Sequence, residues 1–336
     1  MEDGSGSESS TSFTPTSYTY YTYYYTVNSS DYDYGNYSGY YGSGNQCPGV
    51  TIPRSVVVPC LVILLLVCLI GNLWLLFKLL EKKVKKVSTL ILILMCLNSF
   101  WGCLCMFLTI VENYAEFNTL MCKLRLFLFW VYVFFDMFLI CWLCFDTWCA
   151  VWFSVRRRSE ANRKCWLLCT VVLLILALIL SIQKALHIEA IQLQGQNVYR
   201  CQYHKDDHSN MQVFNVSVSM NVLGFLLPLL FLCIFYGMCL WKLYKAVFKT
   251  KNKIIKTMLL FVCMFLITWG PYYVLSFIDG LMTAGFIEKS CSLDSVLKLL
   301  LSLLGLWGMA HGGLQVFIYI LCNSHFNNSL FTCFKK

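Results

Sequence analysis

Charged residues are scarce in this sequence: only 13% of the 336 residues are Asp, Glu, Lys or Arg. A soluble domain of this size carries about 25% charged residues. At the same time, 58% of the chain is hydrophobic, and these residues are concentrated in long blocks. The shortage of charge therefore argues against a water-soluble domain with one large core.

The sequence also lacks the residue patterns that are typical of enzymes, metal sites and transporters. The five histidines are scattered without the spacing of metal ligands, and no nucleophile–base arrangement is evident. A transporter or channel, the alternative from another class, would show repeated halves or several charges along a membrane path. Neither pattern is present, and Asp136 is almost alone in mid-membrane. We expect a protein that is not an enzyme and that has no cofactor.

Seven apolar blocks are each long enough to cross a membrane, which needs about 20 residues. Each block must be helical, because lipid cannot satisfy the polar groups of the backbone. The sequence thus predicts an all-α membrane protein, a bundle of seven transmembrane helices in contact with membrane lipid. The blocks are 56–79, 88–111, 120–153, 165–187, 213–243, 255–283 and 293–322.

Basic residues set the predicted orientation. Most of the 26 Lys and Arg residues lie after the first, third and fifth blocks and at the C-terminus. Cytoplasmic segments of membrane proteins are enriched in Lys and Arg, so we place these segments in the cytoplasm and the N-terminus outside. The net charge of +9 is then a signal of topology, and it does not indicate binding to nucleic acid.

The N-terminal segment 1–46 contains no Lys, no Arg and no apolar stretch of the kind found in signal peptides. Ser, Thr, Gly and Tyr dominate it, which is typical of disorder. Asn28 and Asn36 begin glycosylation sequences. We therefore predict an acidic, Tyr-rich, disordered extracellular tail over 1–46 and a helical bundle over 47–323.

Of the 19 cysteines, only Cys47, Cys122, Cys201 and Cys291 fall on predicted outer segments or helix tops. Four cysteines allow three disulfide pairings. The first and seventh helices would be neighbours in a closed ring, which favours Cys47–Cys291 together with Cys122–Cys201. Each bond would restrain an outer segment in an oxidising compartment.

Several motifs within residues 47–334 resemble those of rhodopsin-class G-protein-coupled receptors. These receptors fold as a seven-helix bundle with a short amphipathic eighth helix. We expect the eighth helix and a short cytoplasmic tail over 324–336. The matching residues are Gly71-Asn72, Pro228 with Tyr236, the sixth-helix motif Phe265 to Tyr272, Tyr319 with Phe326, and Asp146 at the family's spacing after Cys122.

The resemblance implies a conformational switch beneath an outer ligand pocket. Trp269 would be its central residue, with Pro271 at the kink of the sixth helix. Phe265, Pro228 and Met137 would form the packing layer below it.

The second outer cysteine pair and the acidic tail resemble chemokine receptors in particular. Tyr32 and Tyr34, flanked by Asp31 and Asp33, lie in a context that resembles tyrosine-sulfation sites. Chemokines are mostly basic proteins, so an acidic tail suits their electrostatic capture. Asp279 and Glu288 would contribute to an acidic rim around the pocket. The competing interpretation of the tail is a glycosylated spacer.

Departures from the family pattern are as informative as the matches. The second-helix Asp is replaced by Asn98, the Asp-Arg-Tyr motif by Asp146-Thr147-Trp148, and the seventh-helix Asn-Pro pair by Gln315-Val316. This combination resembles the chemokine-receptor homologues encoded by gammaherpesviruses, the equine member included. It implies a location in the plasma membrane of the host cell.

Asp136 belongs to a predicted polar core with Asn72, Asn98 and Gln315. An ionisable residue inside a membrane helix is a functional hypothesis by default. One hypothesis is a site for Na+ or for a proton, moved from the second helix to the third. The other is a protonated Asp136 that forms a hydrogen bond with Asn98 and binds no ion.

Thr147 occupies the position of the family's arginine, which restrains the inactive state and contacts the G protein. The resemblance places the G-protein interface at Asp146, Thr147, Trp148, Val151 and Lys251. Loss of the restraint predicts signalling without ligand through a heterotrimeric G protein. The resemblance to chemokine receptors implies that this G protein is of the Gi type. The alternative consequence is lost coupling, which would leave a chemokine scavenger. Tyr236 and Tyr319, expected to pair across the inner ends of two helices, favour retained coupling.

Overall fold

The computed structural model describes residues 52–81, 87–115, 117–153, 160–192, 199–203, 209–245, 251–288 and 290–322. Several predicted features lie outside these residues. They are the glycosylation sequences at Asn28 and Asn36, the tail residues Asp31, Tyr32, Asp33 and Tyr34, the cysteine Cys47, and the eighth helix over 324–336.

Within these described ranges, seven helical spans are long and apolar enough to cross a membrane, which confirms the predicted seven-helix bundle. The first four are single helices, the fifth contains a π-helical turn, and the seventh is divided at Ala310. In order, the helices are Arg54–Glu81, Val87–Glu112, Thr119–Trp152, Glu160–Leu186, Ser209–Asn221 with the π-helix Val222–Leu226 and Leu227–Lys245, Lys251–Thr283, and Cys291–Met309 with His311–Cys322.

The π-helical turn of the fifth span lies directly before Pro228, which has no N–H to donate and whose ring crowds the preceding turn. The Leu227 N–H donates to the Val222 carbonyl, five residues back, so the wider turn preserves a backbone bond there. Gly224 within this turn faces Phe134, since a Cβ at that position would clash with the Phe134 ring. Glycine thus lets the fifth span approach the third closely.

The third span is the centre of the bundle. From Trp130 to Ile140, every residue except Phe138 is buried. The main apolar cluster brings this segment together with residues of the fifth and sixth spans, including Phe225 and Phe265. The first span, by contrast, exposes large apolar side chains, as expected of a surface that faces lipid.

A β-hairpin covers the end of the bundle predicted to face outward. Its strands, Ile188–Gln192 and Tyr199–Tyr203, pair antiparallel with Ala190 opposite Cys201. Cys201 forms the predicted disulfide with Cys122 at the start of the third span. Cys291 is also disulfide-bonded. Its predicted partner Cys47 lies outside the described residues, so the Cys47–Cys291 pairing stays a prediction.

Candidate functional site

A buried polar network surrounds Asp136 in the middle of the bundle. Gln315 of the seventh span donates through Nε2 to both carboxylate oxygens, at 2.7 and 2.8 Å. Asn98 of the second span donates to Oδ1 at 3.3 Å and to the Tyr132 carbonyl at 3.1 Å. Asp136 is 2% exposed. The structure therefore brings three of the four predicted polar-core residues into direct contact.

His311 is a member of this network that the sequence did not reveal. Its side chain is completely buried, and Nε2 lies 2.8 Å from Asp136 Oδ2. The two atoms are close, but their geometry is not that of a hydrogen bond. On its other side, Nδ1 lies 2.8 Å from Thr268 Oγ1 of the sixth span.

Asn72, the fourth predicted residue, extends the network to the first span. Its Nδ2 donates to the carbonyl of Gly312 at 3.0 Å and to that of Cys68 at 2.9 Å. Ser99 of the second span lies 3.5 Å from Gln315 Oε1. The polar network thus joins the first, second, third, sixth and seventh spans.

Trp269 lies one layer above the polar network and packs directly on the backbone of Gly308. A Cβ at Gly308 would be 2.7 Å from the indole ring. Phe129 and Tyr272 contact the same indole, with ring centroids 6.1 Å away in both cases. Trp269 is therefore held on several sides by rigid groups.

The residues of the predicted packing layer are also buried close to the third span. Phe265 stacks on Phe225 with ring centroids 5.9 Å apart, and its other neighbour is His311 at 6.2 Å. Met137 is 1% exposed. The Pro228 carbonyl lies 3.8 Å from Cys141 Sγ. Pro271 lies within the continuous sixth-span helix. These positions agree with a switch region, whose role stays a prediction.

We expect Gly308→Ala to lower the thermal stability of the protein, because the new methyl group must displace the enclosed indole of Trp269. Overpacking of this kind costs about 1–3 kcal/mol. Gly305→Ala is a matched control on the same helix, since its Cβ would meet nothing within 4 Å. Thermal unfolding of the purified variants measures the difference. Equal unfolding temperatures for the two variants would show that Trp269 is not tightly held.

At the end of the bundle predicted to face the cytoplasm, Asp146 and Thr147 have separate partners. Ser88 of the second span donates to Asp146 Oδ2 at 2.6 Å. Thr147 donates to the carbonyl of Leu143, one turn back on its own helix, at 2.8 Å. The side chain at the family's arginine position thus forms its hydrogen bond within the third span, without joining it to another.

An aromatic clamp joins the third and fifth spans at this end. We define it as Phe145, Trp148 and Trp152 of the third span with Phe235 and Trp241 of the fifth. The Phe235 ring meets Trp148 and Phe145 edge to face, with centroids 5.1 and 5.3 Å apart. Trp152 and Trp241 are stacked at 6.0 Å. Such pairs contribute about 0.5–1.5 kcal/mol each beyond the burial of their surface.

The remaining residues predicted at the inner end are more dispersed. Val151 and Tyr236 pack against the main apolar cluster. Tyr319 packs against a different cluster, formed with the first and second spans. The predicted pairing of the two tyrosines therefore stays a prediction. Lys251 begins the helix of the sixth span.

A cavity of about 210 Å³ opens among the third to seventh spans, below the β-hairpin. Asp279 of the sixth span, predicted for the acidic rim, is one of its lining residues, with Lys184 of the fourth span and Trp130 of the third. Glu288 is exposed after the sixth span and is not among the lining residues. Ligand sites are typically concave, mostly apolar and lined by a few polar groups, which describes this cavity.

Comparison with known proteins identifies the class that this architecture defines. The family described as 7 transmembrane receptor (rhodopsin family) matches residues 71–319, from the first span to the end of the seventh. The chain therefore belongs to the rhodopsin family of seven-transmembrane receptors, a class of receptors rather than of enzymes.

The individual relatives include receptors of herpesviruses and of mammals. The chain is 73% identical to the G-protein coupled receptor 74 of Equine herpesvirus 2 (strain 86/87) over 336 residues, all of both chains. It is 25% identical to the viral G-protein coupled receptor of Human herpesvirus 8 type P (isolate GK18) over 323 residues, 93% of this chain and 91% of that one. It is also 24% identical to the type-1 angiotensin II receptor of Bos taurus over 228 residues, 64% and 62% of the two chains. The predicted resemblance to a herpesvirus receptor is confirmed.

Proposed function

We propose that this receptor signals through a heterotrimeric G protein of the Gi family without ligand, and that a chemokine modulates this activity. The observation that carries the proposal is the arrangement at the inner end. Thr147 is bound within its own helix, and Asp146 is engaged by Ser88 of the second span. The family's arginine restrains the third span against its neighbours. Thr147 stands at that position and cannot supply the same restraint.

Losing this restraint matters because the free-energy difference between the inactive and active states of a receptor is small. Removing a restraint of one or two kcal/mol changes the population of the active state by about 5- to 30-fold. The third span meanwhile stays attached to the fifth through the aromatic clamp. The clamp thus orders the inner end of the third span, while the Thr147 side chain supplies no contact with another span that would hold the bundle inactive.

The chemokine part of the proposal rests on charge and shape. The tail is acidic, with Asp31 and Asp33 flanking Tyr32 and Tyr34, and would attract a basic protein from solution. Asp279 lines the outer cavity, which is too small for a folded domain and suits a terminal segment of one. In this arrangement the receptor lies in the host plasma membrane with an extracellular N-terminus, glycosylated at Asn28 and Asn36.

One experiment tests both parts. The receptor is expressed at the cell surface, and Gi activation is measured by a biosensor, first without ligand and then with a panel of purified chemokines. We expect a basal signal above that of mock-transfected cells, which at least one chemokine raises or lowers. A flat signal with preserved chemokine uptake would replace signalling by scavenging. Failure of every chemokine to bind would remove the chemokine part.

At Asp136 we propose an internal hydrogen-bonded network in place of a bound sodium ion. Both carboxylate oxygens already accept from Gln315, and His311 lies 2.8 Å from Oδ2. Hard cations bind through oxygen ligands, whereas Gln315 and Asn98 present nitrogen donors to this carboxylate.

We therefore expect basal signalling and the unfolding temperature to stay the same when choline chloride replaces sodium chloride at equal ionic strength. Basal signalling is read by the Gi biosensor, and unfolding is followed on the purified receptor. Stabilisation by sodium that Asp136→Asn abolishes would overturn the proposal and establish an ion site.

A further inference from the structure

Lys184 lies in the last turn of the fourth span and carries a positive charge into the interior of the protein. The residue is 8% exposed, although lysine is almost never fully buried without a partner. Its ammonium group lies 4.3 Å from the centre of the Trp130 ring. Lys184 and Trp130 both line the outer cavity, so the buried charge borders a space open to a ligand.

The described surroundings compensate this charge only in part. A cation over an aromatic face is stabilised more weakly than a cation in a buried hydrogen-bonded ion pair. Asp279 lines the same cavity, and its negative charge attracts the Lys184 ammonium. A second donor, Trp130 Nε1, is buried with no hydrogen-bond partner among the described residues. A buried indole donor and a buried cation thus lie side by side at one cavity.

We propose that Lys184 is the anion-accepting residue of the ligand site and takes a carboxylate from the terminal segment of the protein ligand. The inference rests on the proposed function and specifies the chemistry of its pocket. Asp279 adds a negative charge to the same cavity, so the site suits a segment that carries both an acidic group and a basic one. The aromatic rings of Trp130 and Tyr272 complete the walls.

The first measurement uses Lys184→Met, which keeps most of the apolar stem and removes the charge. The probe is a chemokine that modulates wild-type signalling, paired with a variant in which Glu and Asp of its N-terminal segment are changed to Gln and Asn. On the wild-type receptor we expect the amide variant to be about 10-fold less potent, because a hydrogen bond to a charged group is lost. On Lys184→Met the two ligands should be equipotent.

Lys298→Met is the control for this comparison. Lys298 lies on the seventh span, is half exposed, and forms an ion pair with Asp294 at 2.6 Å. It is not among the residues that line the cavity, so the 10-fold difference between the ligands should persist there. If the amide variant loses the same potency on wild type and on Lys184→Met, the inference about Lys184 is overturned. That result would leave the proposal of a chemokine receptor unaffected.

A second measurement needs no ligand and therefore tests the role of Lys184 even if no chemokine binds. Thermal unfolding of the ligand-free receptor compares the same variants. If Lys184 serves a ligand, removing its charge raises the unfolding temperature, by about 2–4 °C for each kcal/mol relieved. Lys298→Met should lower it, because Asp294 is then left buried without its cation. A lower unfolding temperature for Lys184→Met would show a structural lysine and overturn the proposal.

Discussion

Replacing Thr147 with arginine should reduce ligand-independent signalling by about 5- to 30-fold. The new guanidinium would lie next to the carboxylate of Asp146, which the structure places within reach of the second span through Ser88. A long, planar donor at this position can pair with that carboxylate and strengthen the polar contact that Asp146 makes with the second span. Thr147 supplies no such contact, since its hydroxyl donates to Leu143 of the same helix.

The control is Thr147→Gln, which supplies length and hydrogen-bonding capacity without a charge. Its basal signal should stay close to that of the wild type, because an uncharged amide gains little from Asp146. Signalling is read as Gi activation per receptor at the surface, so that changes in expression do not enter. An unchanged or higher basal signal in Thr147→Arg would refute the role assigned to this position.

Removing the carboxylate of Asp136 should be the most destabilising single change considered for this receptor. In Asp136→Ala, the Gln315 amide loses both of its acceptors, and Asn98 and His311 lose a partner in a buried site. Breaking a buried polar pair by deleting one partner costs about 3–5 kcal/mol. We expect a large fall in the unfolding temperature of the purified protein and a matching loss of surface expression.

A double-mutant cycle separates this network from a simple cavity effect. His311→Ala and the Asp136→Ala/His311→Ala double variant complete the cycle. Residues that share a network show coupling of about 0.5–3 kcal/mol, so the double variant should lose less stability than the sum of the single losses. Additive losses would mean that the 2.8 Å contact between the two side chains contributes nothing.

Hydropathy alone predicted the seven spans, because a bilayer forces every crossing segment to be long, apolar and helical. The contacts of Asp136 with Asn98 and Gln315 were anticipated from the family resemblance. They depend on how the second, third and seventh spans face one another, and the periodicity of each span does not give that orientation.

His311 and Lys184 were missed, although each left a trace in the sequence. His311 precedes Gln315 by one helical turn and therefore shares its inward face. Lys184 is a charge at the end of an apolar span, where long basic side chains usually extend toward the membrane surface instead of the protein interior. The aromatic clamp could not be predicted, because a row of Trp and Phe in one helix does not reveal which neighbour it packs against.

Reconstitution tests the central claim most directly. Purified receptor in lipid nanodiscs is mixed with purified Gi heterotrimer, and nucleotide exchange is measured with no chemokine present. The account predicts exchange clearly above that of empty nanodiscs, and a lower rate for Thr147→Arg at the same receptor concentration. Exchange at the level of empty nanodiscs, from a receptor shown to be folded by its thermal unfolding, would contradict it.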